Sequence, residues 1–117
     1  MLNRQSPQRW DIWLAYVPFE ENDGRYSRRP ALVFQFHSET NEWFAFKMTS
    51  HAPRSNFPGE YAVQYWREAG LTKPTTIRLS KRFLLGEADF ICKLGTLHPA
   101  DAKQVIAHIA QLYPRQH

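Results

Sequence analysis

At 117 residues, with 43% hydrophobic, 15% aromatic and 22% charged side chains, the chain has room for one core, which excludes two substantial domains and the composition of a disordered segment. Its 15 Lys and Arg against 11 Asp and Glu leave a net charge of +4, a surplus that permits a polyanionic partner without requiring one. A single cysteine, Cys92, excludes an intrachain disulfide framework and a multi-cysteine metal site and suits a reducing cytoplasm, while the absence of an apolar signal region or membrane-length run argues against secretion and insertion.

Residues 1–9 are polar and read as a flexible lead-in to a single domain over 10–117. Ile12, Trp13, Leu14, Tyr16 and Val17 make Asp11–Val17 a first strand, which Pro18 ends. Glu20, Glu21, Asn22, Asp23 and Gly24, followed by Arg25, Tyr26 and Ser27, form an acidic, turn-rich loop that is expected to be mobile. Arg28 and Arg29 then lead into a second strand. Because proline lacks an N–H and is tolerated at a strand's first residue, this strand is expected to begin at Pro30 and run to Phe36. Leu32, Phe34 and Phe36 would share one face, opposite Ala31, Val33 and Gln35.

After a turn, Glu42–Thr49 alternates again, with Phe44, Phe46 and Met48 on one face and Trp43, Ala45, Lys47 and Thr49 on the other. His51–Gly59 reads as loop and Glu60–Val63 as a short strand. Gln64–Ala69 reads as a brief helix capped by Gly70. Thr75–Lys81 favours strand, Phe83–Phe90 fits a turn or a loose helix, and Ile91–Leu97 a last short strand interrupted by Gly95. From Pro99 to Leu112 the apolar residues Ala102, Val105, Ile106, Ile109 and Leu112 recur at helical spacing, with proline at the first position and Asp101 favourable to the dipole.

His37, His51, His98, His108 and His117 show no paired ligand spacing, so no metal or cofactor site is expected. His108 falls on the polar face of the last helix and His98 at its start. Cys92, set between Phe90, Ile91 and Leu94, reads as a buried structural thiol. What remains is a polar cluster: Arg28 and Arg29, then Lys47, Thr49, Ser50, His51 and Arg54. Guanidinium forks match phosphate geometry and stay charged. If strands two and three pair as a hairpin, Arg29 meets the far strand near Thr49. Cleaving RNA without a metal needs an aimed 2′-hydroxyl, charge neutralisation on the non-bridging oxygens and a proton for the leaving oxygen. Arg29, Thr49 and His51 carry suitable groups. The same residues also fit a solvated rim followed by a turn, and that alternative stays open on residue types alone.

At these residues the sequence resembles the MazF/PemK toxins of bacterial toxin–antitoxin systems. The resemblance rests on Asp11-Ile12-Trp13-Leu14, on Arg29-Pro30-Ala31-Leu32-Val33 with Gln35, on Met48-Thr49-Ser50, and on Ile77-Arg78-Leu79 and Lys93-Leu94-Gly95-Thr96-Leu97 before the final helix. It implies a mainly β, α+β fold: a small half-open SH3-like barrel related to the gyrase poison CcdB, with a short helix in the insert from Gln64 to Leu71 and a C-terminal helix packed on the sheet. It further implies a cytoplasmic, homodimeric, metal-independent endoribonuclease that cleaves single-stranded RNA through its own 2′-hydroxyl. The products would be a 2′,3′-cyclic phosphate and a 5′-hydroxyl. By the resemblance Arg29 and Thr49 are the catalytic pair, with Arg28, Lys47, Ser50, His51 and Arg54 as supporting or RNA-binding residues. A cognate antitoxin would occupy the RNA groove with an extended tail, and the toxin would bind DNA as part of that complex. Trp10 departs from the family's usual glycine before the aspartate, and the Glu20–Ser27 loop and the insert depart as well, which bears on RNA sequence preference. Two rival readings are a non-catalytic CcdB-like toxin that grips gyrase, and a nucleic-acid-binding barrel without activity.

Overall fold

Alternating apolar side chains build the central strands, and the ladders between them show which residues each strand recruits at its ends. The computed structural model describes residues 5–18, 24–56 and 58–114. Strand β1 spans Asp11–Pro18, β2 Tyr26–His37, β3 Glu42–Thr49, β4 Glu60–Ala62, β5 Thr76–Leu85 and β6 Phe90–Thr96. A 3-10 turn at Glu87–Asp89 precedes β6, and helix α1 covers Pro99–Leu112. The strands pair antiparallel in the order β4-β5-β3-β2-β1-β6. Since β4 and β6 end that order, the expected half-open barrel takes the form of an unclosed six-stranded sheet with one helix.

Apolar residues fill both sides of the sheet's centre. On one side Ile12, Leu32, Phe46, Met48, Ile77 and Leu79 pack beneath Ala102 and Val105 of α1. On the other, Trp13, Ala15, Val17, Ala31, Val33 and Ala45 gather with Leu85 and Phe90. Burial on both faces explains why Ala31, Leu32 and Val33 are all fully buried although they alternate. A bulge between Val33 and Gln35 then changes the strand's phase. Phe34 stays against Phe46, with ring centroids 5.5 Å apart. Phe36, expected on the same face, instead meets Trp43 at 5.2 Å, and Trp43 packs on the second cluster.

Strand β2 begins at Tyr26, four residues before the expected start at Pro30. β1 extends to Pro18 and pairs with residues 26–29, while the β2–β3 ladder ends at Ala31 opposite Lys47. Pro30 therefore has β1 on one side and no strand on the other, an edge setting in which the missing N–H is tolerated. Glu20, Glu21, Asn22 and Asp23 of the expected loop lie outside the described residues, but Tyr26 and Ser27 are strand residues. Of the lead-in, residues 5–9 are described: the Gln8 N–H donates to Asp11 Oδ2 at 2.9 Å, and the Arg9 guanidinium lies over the Trp10 and Phe34 rings. Trp10 holds φ +74°, the left-handed conformation that a glycine at this position would adopt without strain.

The insert contains no helix. Ala69 N–H donates to Tyr65 O, closing one helical turn, after which Leu71 N–H reaches Trp66 O and Gly70 N–H reaches Arg67 O. That pair of bonds, with Gly70 at φ +92°, is a Schellman motif, so the expected cap is present while the expected helix is only one turn long. The turn is pinned from α1. Asp101 is fully buried and accepts from Tyr61 Oη at 2.5 Å, from Gln64 N at 2.9 Å and from Tyr65 N at 2.9 Å. β5 continues through Phe83 to Leu85, and only Glu87–Asp89 turns. α1 has its expected bounds; His98 caps it by accepting the Ala100 N–H, whereas Ile106 is exposed rather than part of the packed stripe. His108 is half-buried, its ring against Tyr61 at 5.2 Å, rather than fully solvated. Cys92 is exposed rather than buried: a bulge in the edge strand β6 sets Phe90 opposite Ala15 but Cys92 opposite Leu14, so the two residues fall on opposite faces.

Candidate functional site

Strand alternation divides the two arginines. Arg29 stands opposite Ala15 and Arg28 opposite Tyr16. Directly opposed residues share a face, and Ala15 belongs to the second cluster with Ala31 and Val33. Arg29 therefore projects from the second-cluster face, and Arg28 from the face of Leu32. Both arginines are exposed. Neither guanidinium is engaged by a hydrogen bond or ion pair among the described residues, so both remain able to take an anion.

β3 brings its polar residues to the same face as Arg29. Phe46 and Met48 enter the first cluster, which sends Ala45, Lys47 and Thr49 to the opposite side. The β2–β3 ladder ends at Ala31 opposite Lys47, and Arg29 and Thr49 each lie two residues beyond that last pair, on the same face. Beyond that point β3 is held by β5, with Thr49 opposite Thr76. Thr49 Oγ1 accepts the His51 N–H at 3.3 Å, and Thr76 Oγ1 donates to His51 O at 2.5 Å. These bonds fix the exposed Ser50–His51 bend beside the threonine. Arg29, Lys47 and Thr49 thus lie on one face at the same end of the β2–β3 pair, with Ser50 and His51 following Thr49 in the chain.

Arg54 has a different setting. Its Nη2 lies 2.7 Å from Glu60 Oε2 and its backbone N–H donates to Glu60 Oε1 at 2.9 Å. The Glu60 side chain, only 2% exposed, also meets Arg78 Nε at 3.3 Å. Arg54 holds the Glu60 carboxyl below its ordinary value through this bond; burial opposes the shift, and the Arg54 backbone bond, the Arg54 charge and the His51 charge reinforce it. Arg54 is therefore tied to the buried carboxylate of Glu60 on β4. Arg78 stands opposite Glu60, two residues along β5 from Thr76, and so extends the face that carries Thr49.

Sequence reasoning gave Glu60, Thr76 and Arg78 no role. The available signal was the alternation of Thr76 and Arg78 with Ile77 and Leu79, which marks a strand with one polar and one apolar face. Among the described residues, no group of three or more His, Cys, Asp and Glu gathers to hold a metal. A cavity of about 570 Å³ opens at the other end of the hairpin, lined by residues that include Phe36, Trp43, Glu87 and Phe90, and no candidate residue lines it.

The family model for PemK-like, MazF-like toxins of type II toxin–antitoxin systems matches residues 8–113. No curated protein sequence matches significantly. Among solved structures, an endoribonuclease in complex with its cognate antitoxin from a mycobacterial species superposes with a TM-score of 0.68 at 18% identity, over 95% of this chain and 100% of that one. The Mycobacterium tuberculosis toxin MazF-mt6 gives 0.66 at 14% identity, over 92% and 99%. A chain from the MazE–MazF complex of Deinococcus radiodurans gives 0.68 at 18% identity, over 97% and 100%.

Proposed function

Because the chain belongs to the PemK-like, MazF-like toxins of type II toxin–antitoxin systems, we propose that it is an endoribonuclease that cleaves single-stranded RNA without a metal, using the substrate's own 2′-hydroxyl. The observation that supports this reading is the common face of Arg29, Lys47 and Thr49 at the parting of β2 and β3. In-line attack of the 2′-hydroxyl on phosphorus, with loss of the hydroxyl proton, forms the 2′,3′-cyclic phosphate and expels the 5′-oxygen, which takes up a proton. Charge grows on the non-bridging oxygens, and the unengaged Arg29 guanidinium offers a bidentate partner to them. Thr49 supplies a hydroxyl to the same phosphate. His51, exposed beside it, is the group suited to handing over the proton. Lys47 and Ser50 bind flanking RNA, whereas Arg54 acts through Glu60 by holding the loop that carries His51. The protein works as a cytoplasmic homodimer, and a cognate antitoxin silences it by covering this groove. Two of the solved relatives carry an antitoxin alongside the toxin, which supports that part of the reading.

Incubating antitoxin-free protein with single-stranded RNA in chelator tests the proposal, with the product ends mapped chemically. Arg29→Ala is expected to lower kcat by about 10²–10³-fold, the usual cost of losing one transition-state charge partner, with the fold retained. Arg28→Ala is expected to weaken binding by a few-fold and to reduce the salt dependence by about one phosphate contact. No cleavage by the parent protein, or full activity in Arg29→Ala, overturns the proposal.

A further inference from the structure

Resting on the RNA reading above, we infer that Tyr16, Arg28 and Tyr26 form a stacking platform for unpaired RNA bases on the face of the sheet opposite Arg29. The β1–β2 pairing continues to Pro18 opposite Tyr26, but β6 stops at Ala15 and β3 stops at Ala31. Among the described residues, 16–18 and 26–30 are therefore a two-stranded ribbon with no further paired strand. On one of its faces Tyr16 lies directly opposite Arg28, and Tyr26 follows two residues from Arg28 on the same strand. Tyr16 is 45% and Tyr26 59% exposed, the latter the most exposed of the large apolar or aromatic residues described.

Neither ring packs into a core cluster. Two exposed aromatic rings around an unengaged guanidinium combine the two elements that single-stranded nucleic acid uses, π faces for its bases and a cation for its phosphate. Among the described residues the neighbours Leu14, Pro18 and Pro30 add apolar surface and no carboxylate to that face, while Glu20, Glu21 and Asp23, which join the two strands, lie outside the described residues; the net charge of +4 favours a polyanion. The route to the cleavage face is open. Among the described residues no strand is hydrogen-bonded to the outer edge of β2 from Tyr26 to Pro30, so a strand bound on the platform can pass over that edge toward the Arg29 face. Duplex RNA keeps its bases stacked internally and cannot use the rings, so the platform selects unpaired nucleotides that flank the scissile phosphate.

The test measures binding apart from cleavage. In an Arg29→Ala background, fluorescence anisotropy with a labelled single-stranded RNA is expected to show about tenfold weaker binding for Tyr26→Ala and for Tyr16→Ala, near-parental binding for Tyr26→Phe, and no change toward duplex RNA. Both tyrosines are exposed, so the variants should fold, and circular dichroism checks this. Parental affinity in both alanine variants overturns the inference. So does a shift in monomer–dimer equilibrium at unchanged RNA affinity, which would make the face an interface between copies. A parent protein that binds single-stranded RNA through the tyrosines but does not cleave it defeats the endoribonuclease reading alone, whereas a parent that binds no RNA defeats the platform as well.

Discussion

Asp101 shows how much one side chain can organise. It sits in the first turn of α1, where an acid suits the helix dipole, yet its oxygens are taken up by Tyr61, Gln64 and Tyr65 of another segment. Asp101→Asn keeps the shape but turns an acceptor into a donor, so one backbone N–H faces an amide hydrogen. The expected loss is about 1–3 kcal/mol, read from the midpoint of urea unfolding at unchanged m-value. Burial, reinforced by the Asp101 bond and charge, pushes the Tyr61 hydroxyl well above its ordinary 10.0. Glu60 gives the opposite sign. Its carboxyl is held below 4.5 in the folded chain. Between the two values the unfolded state binds more protons, so this contribution is complete above about pH 4.5 and disappears as pH falls through the lowered value. Glu60→Gln is expected to remove that acid-side component from a series of thermal melts. It also removes the carboxylate shared by Arg54 and Arg78, so the variant is expected to melt at a lower temperature near neutrality as well. If acid sensitivity is identical in the variant, the Arg54–Glu60–Arg78 set does not carry this pH dependence.

At the level of elements, the turn at residues 65–71 and β6 approach each other closely through their glycines. A Cβ placed on Gly95 would stand 1.7 Å from Ala69 O, and one on Gly70 would stand 2.5 Å from Leu94 O. Both obstacles are backbone, so Gly95→Ala must lift the turn off the strand. It is expected to cost about 3 kcal/mol or more in chemical denaturation, at the upper end of overpacking losses. Gly24→Ala, with φ +85° and nothing within 4 Å, should cost only about 1 kcal/mol. Gly95 had been read as an interruption of the last strand; its partner is a carbonyl that is distant in sequence, which no local pattern reports. α1 was legible because proline, Asp101 and a regular apolar spacing agree over fourteen residues. The insert forms one capped turn instead of a helix, since Tyr65, Trp66 and Gly70 fit either pattern equally well.

For the molecule as a whole, the sheet class, the six strands and the shared face of Lys47 and Thr49 could be read from alternation, because period-2 patterns survive whatever packs against them. Strand ends could not. The start of β2 depends on how far β1 runs beside it, and the exposure of Cys92 depends on β6 being an edge. The Glu60–Arg78 pair was hidden for a similar reason: each residue alone reads as a surface charge, and only the β4–β5 register makes them one buried unit. The half-open barrel was expected from resemblance, and the sheet supplies its open side as two unpaired ends.

The alternation along β2 also gives this gene a parity. Deleting the codon for Arg29 would still leave an arginine ahead of Pro30, because Arg28 moves into the vacated position. Tyr26 would move with it by one step and change sides. Such a chain would keep the residue next to the threonine and lose the arrangement behind it. Changes in chain length within this segment thus separate two properties that substitutions at either arginine tend to blur, and gaps of two residues would be better tolerated there than gaps of one.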